Sequence, residues 1–185
     1  LSAVLLASAA CLALVVASFA RRNVDVDPRS ARFFVLFGAL ATGSLLVVVP
    51  GNPLLLLIGW IGSSWALVAL VGHDIRLSST RRSQRVTAQA LIIGDVALAA
   101  AVLVAVIAAG RDVTLDVAGS LGDLRSFSIG GVSALDIVAV LLVIAGISKS
   151  SLLPLHRWLV STLAAPTPVS ALVHAGFVSG AGLLM

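Results

Sequence analysis

Six long apolar stretches dominate this sequence. A helix needs about 20 apolar residues to cross a hydrocarbon core about 30 Å thick. Four stretches meet this length, and they run over residues 1–20, 32–49, 54–71 and 86–109. A fifth begins near Ser133 and is interrupted by Pro154, and a sixth begins near Thr167. Because backbone groups in lipid must be paired within the protein, the sequence predicts an all-α, polytopic transmembrane helix bundle with a broken helix.

The composition excludes a soluble domain. Hydrophobic residues make up 59% of the chain, charged residues 11%, and the mean hydropathy is +1.14. The chain begins and ends inside apolar runs, so we expect an internal fragment of a longer multi-pass protein of a prokaryotic cell membrane. We expect a single membrane domain over residues 1–185, with four N-terminal spans in 1–131 and the broken helix and the start of the next helix in 132–185.

Arginines mark two of the loops. Seven of them follow the first and third apolar stretches: Arg21, Arg22, Arg29, Arg76, Arg81, Arg82 and Arg85. The turn over residues 50–52 carries no charge. By the positive-inside rule both arginine-containing loops are predicted to be cytoplasmic, with residue 1 on the outer side. The net charge of +4 therefore indicates orientation in membrane lipid and not nucleic-acid binding.

Lys149 is the only lysine, and it lies in an apolar stretch. Serines flank it, and Pro154 follows five positions later, a pattern that interrupts a helix and leaves backbone carbonyls without helical partners. An amine beside such a break is typical of ion sites in transporters. The alternative is that Lys149 ends a short span and extends to the membrane interface. The residues alone leave both interpretations open.

Two more ionisable residues lie in apolar stretches. Asp95 is about ten residues into the fourth, where a carboxylate must pair or protonate. His174 follows the helix start predicted at Pro166 and Pro168, and an imidazole there can transfer protons. A packing histidine held by hydrogen bonds is the alternative for His174. With Lys149, these residues predict a proton or ion pathway.

Other residues have less specific interpretations. His156 and Trp158 are expected at the membrane interface, in a gating or structural role. Gly59, Gly62 and the segment 38–44 supply small residues for close helix packing. Three histidines and one cysteine at these spacings predict no metal site, and no catalytic group or cofactor motif is visible. The sequence thus predicts a transport subunit, not an enzyme.

The segments 149–159 and 166–175 read Lys-Ser-Ser-Leu-Leu-Pro-Leu-His-Arg-Trp-Leu and Pro-Thr-Pro-Val-Ser-Ala-Leu-Val-His-Ala. They closely resemble the broken-helix signature of the proton-translocating antiporter family, which includes the large membrane-arm subunits of respiratory complex I and the Mrp antiporters. The resemblance implies helices three to eight of about fourteen, in a fold with two inverted repeats. It makes Lys149 the channel lysine and His174 the link to a second half-channel. Asp95 matches through its Gly-Asp context.

Two positions depart from the family pattern. Ile61 stands where the family carries an ion-pairing glutamate, and Ile92 stands where it carries an arginine. Removing one member of a buried ion pair costs about 3–5 kcal/mol, so loss of both together is physically coherent. We therefore expect a different coupling mechanism, or one that depends on Asp95.

The glycine-rich continuation over residues 174–182 resembles DabB-type membrane subunits of inorganic-carbon accumulation systems. That resemblance implies ion flow that drives a large soluble, zinc-dependent, carbonic-anhydrase-like partner of the DabA type. One alternative is a complex I subunit L-like or Mrp-type protein, assembled with the other subunits of those complexes. Another is a structural membrane subunit that no longer conducts ions. In each case the chain belongs to a hetero-oligomer.

Overall fold

A computed structural model describes residues 2–24, 29–48, 53–73, 78–109, 124–162 and 167–173. The long helices are α1 (Ser2–Val24), α2 (Ser30–Val48), α3 (Pro53–Val71), α4 (Ser78–Ala109) and α5 (Ala134–Lys149). The short ones are α6 (Arg157–Ser161) and α7 (Thr167–Leu172). A two-residue hairpin, β1 (Ser128–Ile129) and β2 (Val132–Ser133), precedes α5. Its Gly130–Gly131 turn has positive φ at both residues, as the tightest hairpin turns require.

These elements confirm the predicted helical membrane fold. Helices α2, α3 and α4 are each long and apolar enough to cross a membrane. The main difference is that α4 begins at Ser78, eight residues before the span predicted to start at Val86. Arg82 and Arg85 therefore lie on the first turns of a helix and not in a loop.

Helix α5 has well-defined ends. At its start, Ser133 Oγ accepts a hydrogen bond from the Asp136 N–H and donates one to the Asp136 carboxylate. At its end, the Leu152 N–H bonds to Ile147 O and the Ser151 N–H bonds to Ser148 O. This pattern is a Schellman motif, with Ser151 at a φ of 57° in the position that glycine usually occupies. The helix thus ends at Lys149, before Pro154 is reached.

The helices pack as two extensive pairs, α2 with α3 and α4 with α5, which are joined through α3 and α4. The main apolar core lies among α1, α2, α3 and α4 and includes Phe33, Leu67 and Leu91. Residues of α6 and α7, Trp158 and Val169, complete it. Large apolar side chains such as Leu14 and Val35 face outward with 72% and 71% of their surface exposed, as expected for a surface in contact with lipid or further helices.

Helices α2 and α3 approach each other at two glycines. A Cβ atom on Gly43 would lie 2.9 Å from Gly59 O, and one on Gly59 would lie 2.8 Å from Gly43 O. Gly38 and Gly62 have nothing within 4 Å of such an atom. Of the glycines predicted to serve helix packing, Gly43 and Gly59 therefore do so within the described part of the chain. Small residues at a contact let two backbones come this close.

We expect Gly43→Ala to lower the free energy of unfolding by about 1–3 kcal/mol, because the added methyl group overlaps the α3 backbone. The matched control is Gly38→Ala on the same helix, which should be neutral or stabilising by up to about 1 kcal/mol from helix propensity. Thermal unfolding of the full-length protein in detergent measures both. Equal effects of the two variants would contradict the close approach at Gly43.

Candidate ion-translocation site

The Lys149 ammonium lies inside the helix bundle. Lys149 is the last residue of α5, and only 4% of its surface is exposed. Its Nζ donates to Trp60 O at 2.8 Å, to Ser63 Oγ at 3.1 Å and to Ser64 Oγ at 2.7 Å. An ammonium has three N–H donors, so α3 supplies an acceptor for each of them. The side chain does not extend to the membrane interface, which removes the alternative left open by the sequence.

Ser64 connects Lys149 to Asp95. Its hydroxyl accepts from the ammonium and lies 2.8 Å from Asp95 Oδ1 and 3.0 Å from Trp60 O. A hydroxyl has one proton to donate, so it can be directed to the carboxylate or to the backbone carbonyl. Asp95 is 7% exposed on α4, and it attracts Lys149 electrostatically. The amine, hydroxyl and carboxyl groups form one buried chain across α5, α3 and α4.

Trp60 forms one wall of this site. The Lys149 ammonium is 4.5 Å from the centre of the indole ring, within the range of a cation–π contact. The indole N–H makes no hydrogen bond among the described residues. Trp60 therefore contacts the ammonium in two ways, through the face of its ring and through its backbone carbonyl.

The last turn of α5 is attached to its neighbours on two sides. Ser148 Oγ donates to Ala90 O on α4 at 2.7 Å. Gly94 makes this approach possible, because a Cβ atom at position 94 would lie 2.6 Å from Ser148 Oγ. On the other side, Trp158 Nε1 donates to Ser148 O at 2.9 Å.

Trp158 departs from the sequence prediction. It was expected at the membrane interface, but its side chain is completely buried in the main core. The physical reason is the helix break: Ser148 O lies in the last turn of α5, and the indole N–H supplies it with a donor. Trp158 thus anchors α6 under the end of α5. Its indole lies at the base of the lysine site.

A narrow crevice of about 140 Å³ lies beside the Ser64–Asp95 pair. Leu91 and Val68 line it, and Trp65 and Ile92 lie at its edge, with 52% and 41% of their surface exposed. It is too narrow for a water molecule in this conformation. The crevice lies between α3 and α4, beside the buried carboxyl group.

The other predicted site residues lie apart from this chain of groups. Pro154 is exposed in the turn after α5, and His156 is exposed just before α6. Pro168 is buried in the first turn of α7, where proline is compatible with a helix. His174 and Pro166 lie outside the described residues. Among the residues that the structure describes, no group of histidine, cysteine or acidic side chains could hold a metal ion.

The two isoleucines are accommodated as apolar residues. Ile61 packs against the cluster that contains Trp60 and Ala145, and Ile92 faces outward on α4. Of the carboxylates that the structure describes, only Asp95 belongs to the lysine site. The acidic partner therefore lies on α4, and not at position 61 of α3.

Sequence reasoning missed Ser63 and Ser64. The segment around Trp60 was interpreted as a packing surface and, at Ile61, as the place of a lost glutamate. Two adjacent hydroxyls inside an otherwise apolar helix were the available signal, because a polar group at membrane depth needs a partner. Here both accept hydrogen bonds from the same ammonium.

Comparison with known proteins shows which family the sequence matches. The model of the NADH:quinone oxidoreductase/Mrp antiporter transmembrane family matches residues 51–185. "Probable inorganic carbon transporter subunit DabB1" of Halothiobacillus neapolitanus is 31% identical over 186 residues, which cover 100% of this chain and 33% of that protein. NADH-quinone oxidoreductase subunit L of Mycobacterium tuberculosis is 30% identical, over 86% of this chain and 24% of that protein.

A third relative is a probable K(+)/H(+) antiporter subunit of Rhizobium meliloti, 31% identical over 94% of this chain and 17% of that protein. The chain thus spans a third or less of the length of these curated relatives. All three are named as subunits.

Proposed function

This chain belongs to the NADH:quinone oxidoreductase/Mrp antiporter transmembrane family, and we propose that it forms one half-channel of a subunit that translocates protons or other cations. The observation that carries the proposal is the burial of Lys149 at the end of α5. Burying a charged amine inside a membrane protein costs free energy, and residues of this kind usually mark an ion or proton pathway. His174 is proposed to continue that pathway towards the second half of the protein.

The proposed mechanism uses Asp95 in place of the family's glutamate. Proton transfer through Lys149 requires that the stability of its charged form change during a cycle. Movement of a charge on or off Asp95, transmitted through Ser64, would provide that change. The Ser64 hydroxyl can direct its proton either to Asp95 or to Trp60 O, so it can respond to the state of the carboxyl group. The coupling therefore runs from α4 through α3 to α5.

The specific assembly we propose is an energy-coupled inorganic-carbon system in a prokaryotic plasma membrane. Ion flow through this subunit would drive a soluble zinc-dependent, carbonic-anhydrase-like partner. The similarity to DabB1, which extends over the whole chain, supports this assignment. In this assembly the predicted cytoplasmic arginines would face the soluble partner, and opposite charges there would favour association.

A second candidate is a component of complex I or of a cation/proton antiporter. The similarity to subunit L and to the K(+)/H(+) antiporter protein supports it at nearly the same identity. Neighbouring reading frames separate the two candidates. A large soluble protein with cysteine, histidine and aspartate zinc ligands would favour carbon accumulation, whereas a series of other membrane subunits would favour the second candidate.

A growth experiment tests the proposal. The full-length protein, co-expressed with the products of its neighbouring reading frames, should restore growth in ambient air to a bacterial strain that lacks carbonic anhydrase. Rescue should disappear with Lys149→Gln and with a proton uncoupler, since both remove the driving ion flow. The matched control is Arg125→Gln, which removes an exposed positive charge that belongs neither to the lysine site nor to the predicted cytoplasmic arginines. Absence of rescue by the unaltered full-length protein and its co-expressed neighbours, or rescue that survives Lys149→Gln, would exclude the carbon-accumulation function.

A further inference from the structure

A second polar site lies near the start of α4, apart from Lys149. A cavity of about 360 Å³ opens between the first turns of α4 and the short helix α6. Basic and hydroxyl side chains dominate its lining, and two valines complete it: Arg82, Ser83, Val86, His156, Arg157, Val160 and Ser161. Arg82 and Arg157 come from different helices, so the fold brings together charges that are 75 positions apart in the sequence.

The cavity has the charge of an anion site. Two arginines line it, and arginine forms paired hydrogen bonds to phosphate and carboxylate oxygens. Neither of the carboxylates that the structure describes, Asp95 and Asp136, lines the cavity. The hydroxyl groups of Ser83 and Ser161 add hydrogen-bonding capacity at the wall.

The position of the cavity indicates where its ligand comes from. The apolar span of α4 begins at Thr80, so Arg82 lies near one end of the span. Val86 is one turn further along the helix, and Val160 on α6 is 64% exposed. A ligand in this cavity would therefore have its charged part beside the arginines and an apolar part beside the valines. That combination is the chemistry of a phospholipid at the membrane interface.

The site is separate from the proposed ion pathway. Ala90, which is hydrogen-bonded to Ser148, is eight residues after Arg82 on the same helix. At 1.5 Å per residue this places Arg82 about 12 Å from the level of Ala90 along the helix axis. The arginines of the cavity therefore lie at a different depth from the lysine site.

We propose that this cavity binds the phosphate group of an anionic phospholipid, which holds α6 against α4. The arginines contact the phosphate, and the first methylene groups of the lipid lie against Val86 and Val160. Arg82 is one of the arginines predicted to lie on the cytoplasmic side, where anionic lipids are concentrated. The bound lipid then joins the two segments that flank the end of the broken helix.

The test uses the full-length protein purified in detergent, with short-chain phosphatidylglycerol, short-chain phosphatidylcholine and inorganic phosphate as probes. Thermal unfolding followed by tryptophan fluorescence gives the apparent affinity of each. We expect phosphatidylglycerol to raise the melting temperature, with little effect of phosphatidylcholine or phosphate. Arg82→Gln and Arg157→Gln should each weaken the phosphatidylglycerol response about fivefold, the effect of one basic contact to an anionic lipid.

The matched control is Arg85→Gln, which removes the same charge from the same helix outside the cavity. It should leave the response to phosphatidylglycerol unchanged. An equal loss with Arg85→Gln would show diffuse attraction and overturn the proposal. A response to inorganic phosphate as strong as that to phosphatidylglycerol would overturn the assignment to lipid. Equal stabilisation by phosphatidylcholine would overturn the role of charge.

Discussion

Lys149→Gln is expected to reduce ion flux through the full-length protein in liposomes to the level of empty vesicles. The amide cannot carry a proton or a positive charge at this position, while it keeps N–H donors on the side of the acceptors of α3, although its reach is one bond shorter. Glutamine is therefore preferable to alanine, which would leave the acceptors on α3 without a donor. Flux is measured by a pH-sensitive dye enclosed in the vesicles.

A control keeps this prediction separate from loss of folding. Ser18→Ala lies on α1 and removes an exposed hydroxyl that bonds within its own helix, to Val15 O. It should retain flux, while Lys149→Gln should elute with the same oligomeric size and lose flux. If Lys149→Gln retained half of the wild-type flux in a correctly assembled complex, the lysine would not belong to the conducting pathway.

Asp95→Asn is expected to lower flux by about tenfold or more, and also to destabilise the protein. Removal of one partner of a buried pair leaves the other charge uncompensated, at a cost of about 3–5 kcal/mol. Asparagine keeps the size of the side chain and an oxygen for the Ser64 hydroxyl, so the charge is the main change. Denaturant unfolding measures stability, and the liposome assay measures flux.

The partner of Asp95 is identified by a double-mutant cycle. Asp95→Asn combined with Lys149→Gln should destabilise less than the sum of the two single changes, because the pair is then removed as a unit.

A further variant moves the acidic group to α3. Ile61→Glu in the Asp95→Asn background should recover part of the flux, since Ile61 packs beside the last turns of α5. Additive effects in the cycle, together with full flux in Asp95→Asn, would show that Asp95 has no coupling role.

The sequence predicted the helices well because each one extends through a long apolar run. The predicted boundaries of α2 and α3 agree with the structure to within a few residues. The prediction failed at the start of α4, where arginines were assigned to a loop. Arginine is a good helix former, so charge at the membrane edge does not end a helix.

The site was predicted only in part. Lys149 and Asp95 stood out because ionisable residues are rare in apolar stretches. Their connection through Ser64 was not predictable, because it depends on how three helices are rotated about their axes, and the sequence contains no direct record of that rotation. Trp158 was misplaced for a related reason. Its partner, Ser148 O, became available only through the end of α5, which local sequence patterns did not locate to the residue.

The hydrogen bonds on either side of the end of α5 also affect how fast the Lys149 ammonium can move. Ser148 is fixed to Ala90 through its side chain and to Trp158 through its carbonyl, so the backbone next to Lys149 is held from two directions. Movement of the ammonium away from Ser64 then requires rotation about bonds of one flexible side chain, and not displacement of a whole helix. Side-chain rotations are faster than collective helix motions, which take microseconds to milliseconds. If Lys149 gates this half-channel, its side chain would rotate while the backbone at the end of α5 stays in place.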